Sequence, residues 1–343
     1  MIESVLEAYG IKGAQASNFG NGLIHQTWKI STSKQNFILQ RVHEGVFKKP
    51  EDIAYNIRLI ADYIQQHYPD YFFVTPVACN SGDEMVRAKE GCFRMFPFVE
   101  KSHSIDTVET PAQAYEAAVQ FGKFTKLLSQ FDTTKLRITI PDFHNLELRY
   151  QQFQQALRDG NADRIRQSQP IIEQLMDFDE IVAEYRSIKI DPDFKSRVTH
   201  HDTKISNVLF DESGKAICVI DLDTVMPGYF ISDVGDMMRT YLSPVSEEEK
   251  DFDKISIRAD FYRAIVEGYS SEMKEELTEK ESRHFFYAGQ FMIYMQALRF
   301  LTDFLNNDKY YGTRYEGQNF NRAKNQLVLL QRLTERENEL AHL

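Results

Sequence analysis

Between Val198 and Asp223 the chain reads VTHHDTKISNVLFDESGKAICVIDLD, and its chemistry-bearing residues concentrate there. His200, Asp202 and Asn207 stand in an H-x-D-x-x-x-x-N arrangement, and the apolar run Ala216 to Ile220 then delivers Asp221 and Asp223. These residue types at these distances suit phosphoryl transfer, which asks the protein for little covalent chemistry but for positioning and charge neutralisation. Asp202 is the candidate to accept the proton of an attacking hydroxyl. Asn207 offers a neutral oxygen and Asp221 an anionic one, the hard ligands that Mg²⁺ takes beside phosphate oxygens and water. Asp223 is a candidate for a second ion or a metal-bound water, and Lys204 puts a cation near the transferring phosphoryl. Asp and Asn also cap turns, but a simple turn would not add a second acidic site at the end of the following strand.

The elements that must position these residues divide by chain order. After a short first helix, Asn18-Phe19-Gly20-Asn21-Gly22 opens into an alternating run, Leu23 to Ser31, and a turn at Ser33-Lys34 leads to NFILQRV, Asn36 to Val42. Two strands joined over a glycine-bearing loop can cover phosphates with backbone N–H groups, which makes Gly20 and Gly22 candidates. Pro50 to Gln66 predicts an amphipathic helix with Ile53, Ile57, Ile60 and Ile64 on one stripe. Phe72 to Ala78 and Glu84 to Ala88 read as a hairpin, and Cys92 to Val99 as the last strand of the region. From Pro111 onward the periodicity turns helical, with Ala114, Ala118, Phe121 and Leu128 in register. A loop, Ile140 to Asn145, launches a helix over Leu146 to Leu157. Asp159 to Gln169 reads as a polar linker or mobile cover, and Glu247 to Leu343 as further helices. Strands first and helices afterwards predict an α+β architecture of two lobes, a small antiparallel-sheet N-lobe over residues 1–99 and a larger, mainly helical C-lobe over 100–343.

A chain of 343 residues, 42% hydrophobic and 27% charged, can build two such cores. Its net charge of −11 argues against a nucleic-acid footprint and against a polybasic membrane surface. The first ten residues, MIESVLEAYG, predict no signal peptide. Phe285 to Leu301 is interrupted by Gln290, Gln296 and Arg299, which predicts a core helix rather than a span. Cys79, Cys92 and Cys218 form no C-x-x-C pair and read as buried thiols of a cytoplasmic protein.

The His, Asp and Asn of the catalytic stretch match a kinase catalytic loop. HDTKISNVLFD, VIDLDTVMPG and DVGDMMR at Asp233 to Arg239 together resemble the aminoglycoside phosphotransferase and choline kinase group of small-molecule kinases. Within that group they are most similar to N-acetylhexosamine 1-kinases, over nearly the whole chain. The resemblance implies a protein-kinase-like fold that binds ATP and Mg²⁺, and an acceptor, N-acetylglucosamine or N-acetylgalactosamine, phosphorylated at its anomeric hydroxyl. In such a fold the strand after the glycine loop carries a phosphate-anchoring lysine. Gln40 and Arg41 occupy that region here, and alternation sends only one of them to the nucleotide. Glu51 and Asp52 lie where such folds place the lysine's acidic partner, and Phe96, Phe98 and Val99 fall in the adenine-binding hinge. The resemblance further implies that His144, Asp202, Arg299 and Tyr310 meet the acceptor, while His200 and Asp233 brace the catalytic loop. A tryptophan expected near the C-terminus of these enzymes has no counterpart, since the single tryptophan is Trp28. The competing acceptors are an aminoglycoside, an amino alcohol or another sugar, and the competing class is a nucleotide-binding protein without catalysis.

Overall fold

The computed structural model describes residues 2–20 and 24–341, so Gly22 lies outside the described residues. Two compact units emerge. The first comprises Met1–Ser104, Leu127–Pro141 and Asn207–Pro227, and the second Ile105–Lys126, Asp142–Ser206 and Gly228–Leu343. A partition by chain order at residue 99 therefore follows the first unit only in part, because two later segments return to it.

The first unit is built on a five-stranded antiparallel sheet. Its strands are β1 (Gln15–Asn18), β2 (Gln26–Ser31), β3 (Asn36–Arg41), β4 (Met85–Ala88) and β5 (Gly91–Pro97), in the spatial order β1-β2-β3-β5-β4. Period-2 alternation gives the sheet two unlike faces. One carries Ile30, Phe37, Leu39, Phe93 and Met95, packed on Val5, Leu6 and Tyr9 at the end of helix α1 (Ile2–Ala8). The other face carries Gln40 directly opposite Arg94, and Ile38 opposite Phe96. Helix α2 (Pro50–His67) starts with proline at its first turn and buries Ile53, Ile57, Ile60 and Ile64, the expected stripe. A second sheet joins β6 (Ser102–His103), β7 (Val208–Asp211) and β8 (Ala216–Val219).

Phe72 to Ala78 is not a sheet strand. Pro76 has no N–H to give a ladder, and the segment docks through the Val77 N–H to the Met95 carbonyl at 2.7 Å. The edge hairpin is instead β4 with β5. The exposed strand β1 was not anticipated, since none of its four side chains is buried.

The second unit is helical: α3 (Pro111–Leu127), α4 (Leu146–Asp159), α5 (Ala162–Met176), α6 (Glu180–Ile190), α7 (Phe230–Tyr241), α8 (Ala259–Met273), α9 (Glu279–Ser282), α10 (Phe285–Leu305), α11 (Gln318–Thr334) and α12 (Glu337–Leu340). Helix α10 is the axis, buried nearly all round, as its apolar sequence requires. A side chain at Gly235 would collide with the Ala288 carbonyl, so glycine there sets how closely α7 approaches α10. The stretch expected as a linker, Asp159 to Gln169, is mostly helix α5. Asn161 caps it by accepting from the N–H groups of Asp163 (3.0 Å) and Arg164 (3.2 Å), and Ile171, Ile172 and Leu175 bury its later turns. Its polar first turns hid that periodicity. Arg197, at the start of a short strand, forms a buried bidentate pair with Glu281, which also closes a capping box with Thr278. Among the described residues no helix is long and apolar enough to cross a membrane, and all three cysteines are free and buried.

Candidate active site

Each unit holds one half of the predicted machinery. In the helical unit, the candidate catalytic stretch leaves its strand at Thr199 and is pinned by the first turns of α7. Asp233 accepts from the backbone N–H of His200 (3.0 Å) and of His201 (2.7 Å). Asp236, one turn on, accepts from Thr203 N–H at 2.9 Å, and the Thr203 hydroxyl donates to the Asp233 carbonyl at 2.7 Å. Tyr241 closes the far end by donating to the Thr203 carbonyl at 2.6 Å. The spacing of Asp233, Asp236 and Tyr241 thus puts three anchors on the loop side of one helix.

These anchors hold a backbone that would not choose its shape. His201 has φ of 67°, a region unfavourable for a residue with a Cβ. Its ring rests against Gly228, where any side chain would meet it. His200 is fully buried, presents its ring to the edge of Phe121 at 5.2 Å, and accepts the Asp202 N–H on Nδ1 at 3.3 Å. Asp202, between these supports, keeps its carboxylate partly exposed with Lys204 Nζ at 3.2 Å. Burial pushes the Asp233 carboxyl up to about 6, against the two N–H groups that favour its anion. Asp236 is likewise raised by burial, with Arg239 opposing.

Two of the predicted acceptor residues share one wall with this loop. His144 Nδ1 lies 3.3 Å from His201 Nδ1, so one ring donates and the other accepts. Burial holds the His144 pKa well below the usual histidine value, with His201 and Arg299 adding to the effect. Phe143 stacks on His144 at 4.4 Å, and the Arg299 guanidinium lies 5.8 Å from the Phe143 ring. A cleft of about 450 Å³ opens beside it, lined among others by Arg149, Arg299, Thr302, Tyr310 and Tyr311. Its Asp303 is occupied, accepting from the N–H groups of Tyr310 (2.7 Å) and Tyr311 (2.9 Å) and from Asn319 (3.0 Å). Tyr310 is 70% exposed, which leaves its ring available to a ligand.

The sheet unit holds the candidate metal ligands. The Ile220 N–H donates to the Asn207 carbonyl at 2.8 Å, and Val208 pairs with Val219, so Asn207 and Asp221 stand at adjoining ends of one hairpin. Asp221 has left-handed dihedrals, φ 60° and ψ 59°, and an exposed side chain. That is a strained setting for aspartate, of the kind found where geometry serves a ligand. The loop behind it is fixed twice. The Thr139 hydroxyl donates to the Asp223 carbonyl at 2.7 Å, and Asn56 of α2 donates to the carbonyls of Val225 (3.2 Å) and Arg137 (2.8 Å) while accepting the Arg137 N–H (2.8 Å).

Asp223 points inward. It is 2% exposed, one oxygen meeting His25 Nε2 at 2.8 Å and the other the Arg94 guanidinium. The Arg94 guanidinium, with the hydrogen bond from His25, holds its carboxyl down at about 2 against the cost of burial. Ligand atoms of His25, Asp221 and Asp223 all lie within 4.8 Å of one another. The oxygens of Asp221 and Asn207 fit a hard divalent ion, whereas the His25 nitrogen is already spent on Asp223. Neither His25 nor Arg94 was singled out in the sequence. The former precedes a strand of ordinary composition, and the latter sits in the apolar run CFRMF, where only strand register reveals its partner.

Register also separates Gln40 from Arg41. Gln40 faces Arg94 and accepts its Nε at 3.0 Å, while Arg41 lies on the opposite face with its stem against Gly91. Glu51 and Asp52 of α2 are engaged elsewhere, by Arg87 and by Arg137 at 2.8 Å respectively. Phe98 lies under the Lys29 ammonium, 3.8 Å from its ring centre, with Phe19 edge-on at 5.9 Å. Gly20 has φ of 74°, a turn conformation natural to glycine. Val99 accepts from the Ser102 hydroxyl at 2.7 Å.

The profile of the phosphotransferase enzyme family (APH) matches residues 15–276. Among solved structures the chain is similar to the aminoglycoside phosphotransferase of Alicyclobacillus acidocaldarius, at 13% identity over 100% of this chain and 97% of that one, with a TM-score of 0.65. It is similar at 17% identity to a microcompartment-associated aminopropanol kinase, over 99% and 98% of the two chains (TM-score 0.64). A spectinomycin phosphotransferase solved with ADP and spectinomycin gives 17% identity over 97% of each chain (TM-score 0.58). The antiparallel sheet unit and the helical unit are those of the protein-kinase-like fold, and with the family profile over most of its length the chain belongs to the phosphotransferase enzyme family and is a small-molecule kinase.

Proposed function

We propose that this kinase transfers the γ-phosphoryl of ATP to the anomeric hydroxyl of an N-acetylhexosamine, N-acetylglucosamine or N-acetylgalactosamine, giving the sugar 1-phosphate. The observation that carries the acceptor reading is the run of contacts Arg299–Phe143–His144–His201, which connects the Arg299 and Tyr310 cleft to the residue next to Asp202. That cleft offers two guanidiniums, Lys309 and tyrosines against two carboxylates, of which Asp303 is committed to the Tyr310 and Tyr311 N–H groups and Asn319, and Asp159 accepts from Gln155. Donors of this kind suit an uncharged, oxygen-rich sugar. A polycationic aminoglycoside would ask for converging free carboxylates.

In this reading Asp202 accepts the anomeric proton, and Lys204 offsets charge on the transferring group. The anomeric hydroxyl is more acidic than a simple alcohol because the ring oxygen withdraws electrons, so an ordinary carboxylate suffices as its partner. Asn207 and Asp221 would hold Mg²⁺, which supplies charge neutralisation on the phosphates. Asp223, with both oxygens serving His25 and Arg94, is left to a water on that ion or to a second one. His144, Arg299 and Tyr310 orient the sugar. Gly20, Gln40, Phe96, Phe98 and Val99 face the nucleotide, with residues 1–99 as its lobe and 100–343 carrying base and acceptor. Free buried thiols suit the cytoplasm.

The test is ADP release from Mg-ATP across free sugars, amino alcohols and aminoglycosides, with Asp202→Asn as the blank. Turnover on an N-acetylhexosamine that vanishes in the blank supports the reading. Turnover confined to an amino alcohol or aminoglycoside replaces the acceptor and keeps the chemistry.

A further inference from the structure

We infer that Arg94 of β5 is the cation that anchors the nucleotide's phosphates, with Asp223 as its counter-ion. The inference rests on the nucleotide-binding reading above and adds to it a residue outside β3. A phosphoryl-transfer site needs a fixed positive charge on the sheet face that meets the phosphates. Strand β3 does not supply one on that face. Its inward residue there is the neutral Gln40, and Arg41 points to the other side.

The strands on either side do: Lys29 of β2, opposite Ile38, stands over the Phe98 ring, and Arg94 of β5 stands beside Gln40. Arg94 is the register partner of Gln40, so both side chains rise from the same face about 5 Å apart at the backbone. Its Nε is held by Gln40 at 3.0 Å and its Nη1 by Asp223. Nη2 makes no hydrogen bond or ion pair with a described residue. Two of the guanidinium's nitrogens are thus fixed, which orients the third without occupying it. Burying this ion at 1% exposure is costly without compensation, and a purely packed strand would use an apolar residue there. Its partner is also informative. The first-turn acids of α2, Glu51 and Asp52, are taken by Arg87 and Arg137, and the carboxylate comes instead from Asp223, two residues past the exposed, strained Asp221. The loop that offers Asp221 to a metal therefore also sets the guanidinium. Arginine suits this post better than lysine, because its planar fork can hold a glutamine, a carboxylate and a phosphate oxygen together.

The experiment compares ADP with adenosine by titration calorimetry in EDTA, so that no metal bridges phosphate to protein. Wild type, Arg94→Lys, Arg94→Met and the charge-neutral double variant Arg94→Met/Asp223→Asn are each first checked for cooperative unfolding. The double variant removes both buried charges and guards against a fold failure caused by an orphaned Asp223. We expect the ADP Kd to rise at least tenfold in Arg94→Met and in the double variant, less in Arg94→Lys, with the adenosine Kd within twofold of wild type throughout. ADP and adenosine weakened equally, or ADP binding unchanged, would leave Arg94 as an internal counter-ion and overturn the inference. Wild-type protein that bound neither ligand would bring down the nucleotide reading itself, and this inference with it.

Discussion

Asn56→Asp is the most specific perturbation of the loop that carries Asp221 and Asp223, because it changes no shape. Asn56 is 1% exposed and makes one accepted and two donated hydrogen bonds, linking α2 to the Arg137 backbone and to Val225, two residues beyond Asp223. Aspartate keeps the oxygen that accepts Arg137 N–H and turns both donated bonds into oxygen facing oxygen. Two carbonyls lose their donor at about 1 to 1.5 kcal/mol each, before any cost of burying a charge. The variant is therefore expected to be less stable by about 3 kcal/mol at pH 8. A protonated carboxyl can donate to one carbonyl, so the new group's pKa rises in the folded state. The deficit then shrinks as pH falls toward 5 and grows as pH rises. Urea unfolding at pH 5.5 and pH 8 measures both effects, and Mg²⁺ titration of the variant reads the loosened loop as a higher Mg²⁺ concentration at half-maximal turnover. An unfolding free energy within 0.5 kcal/mol of wild type at pH 8, on the scale of an ordinary surface change, would refute the claim that Asn56 anchors this loop.

Other expectations follow from the same geometry. Asp202→Asn should lower kcat by about 10² to 10⁴ with ADP affinity retained, measured by steady-state kinetics and calorimetry. Asp233, raised to about 6, binds a proton in the folded state over a range where the unfolded chain has released it. Wild-type stability should therefore fall as pH rises from about 4 to about 6, by up to about 3 kcal/mol, and this slope should vanish from unfolding curves of Asp233→Asn. Arg197→Met leaves Glu281 buried without its bidentate partner and should cost about 3 to 5 kcal/mol, read by urea unfolding. Arg299→Ala should raise KM for the acceptor while KM for ATP stays put, which initial-rate kinetics separate.

The stretch from Val198 to Asp223 was legible as a candidate site because its signal is local. Asn207 and Asp221 sit at chain spacings that one hairpin brings to adjoining ends, and within the helical unit α7 presents Asp233 to the backbone of His200 and His201. Strands and helices with clean periodicity were equally readable, as in the stripe of α2. What the chain hid was set by tertiary partners. Arg94 in an apolar strand acquires meaning only through its register with Gln40 and its ion pair with Asp223. The choice between Gln40 and Arg41 needed the sheet's faces, because alternation says that they differ but not which is inward. Phe72 to Ala78 has strand composition, yet Pro76 denies it a ladder, and α5 begins in polar turns that match a linker until Ile171 and Ile172 are seen to be buried.

The most direct test of the central claim is the position of the new phosphate. Product made from N-acetylglucosamine or N-acetylgalactosamine with Mg-ATP is analysed by phosphorus–proton correlated NMR. The account predicts a phosphorus signal coupled to the anomeric proton. Phosphorus coupled to the C6 protons of the sugar, or product formed only from an amino alcohol or aminoglycoside, would contradict it.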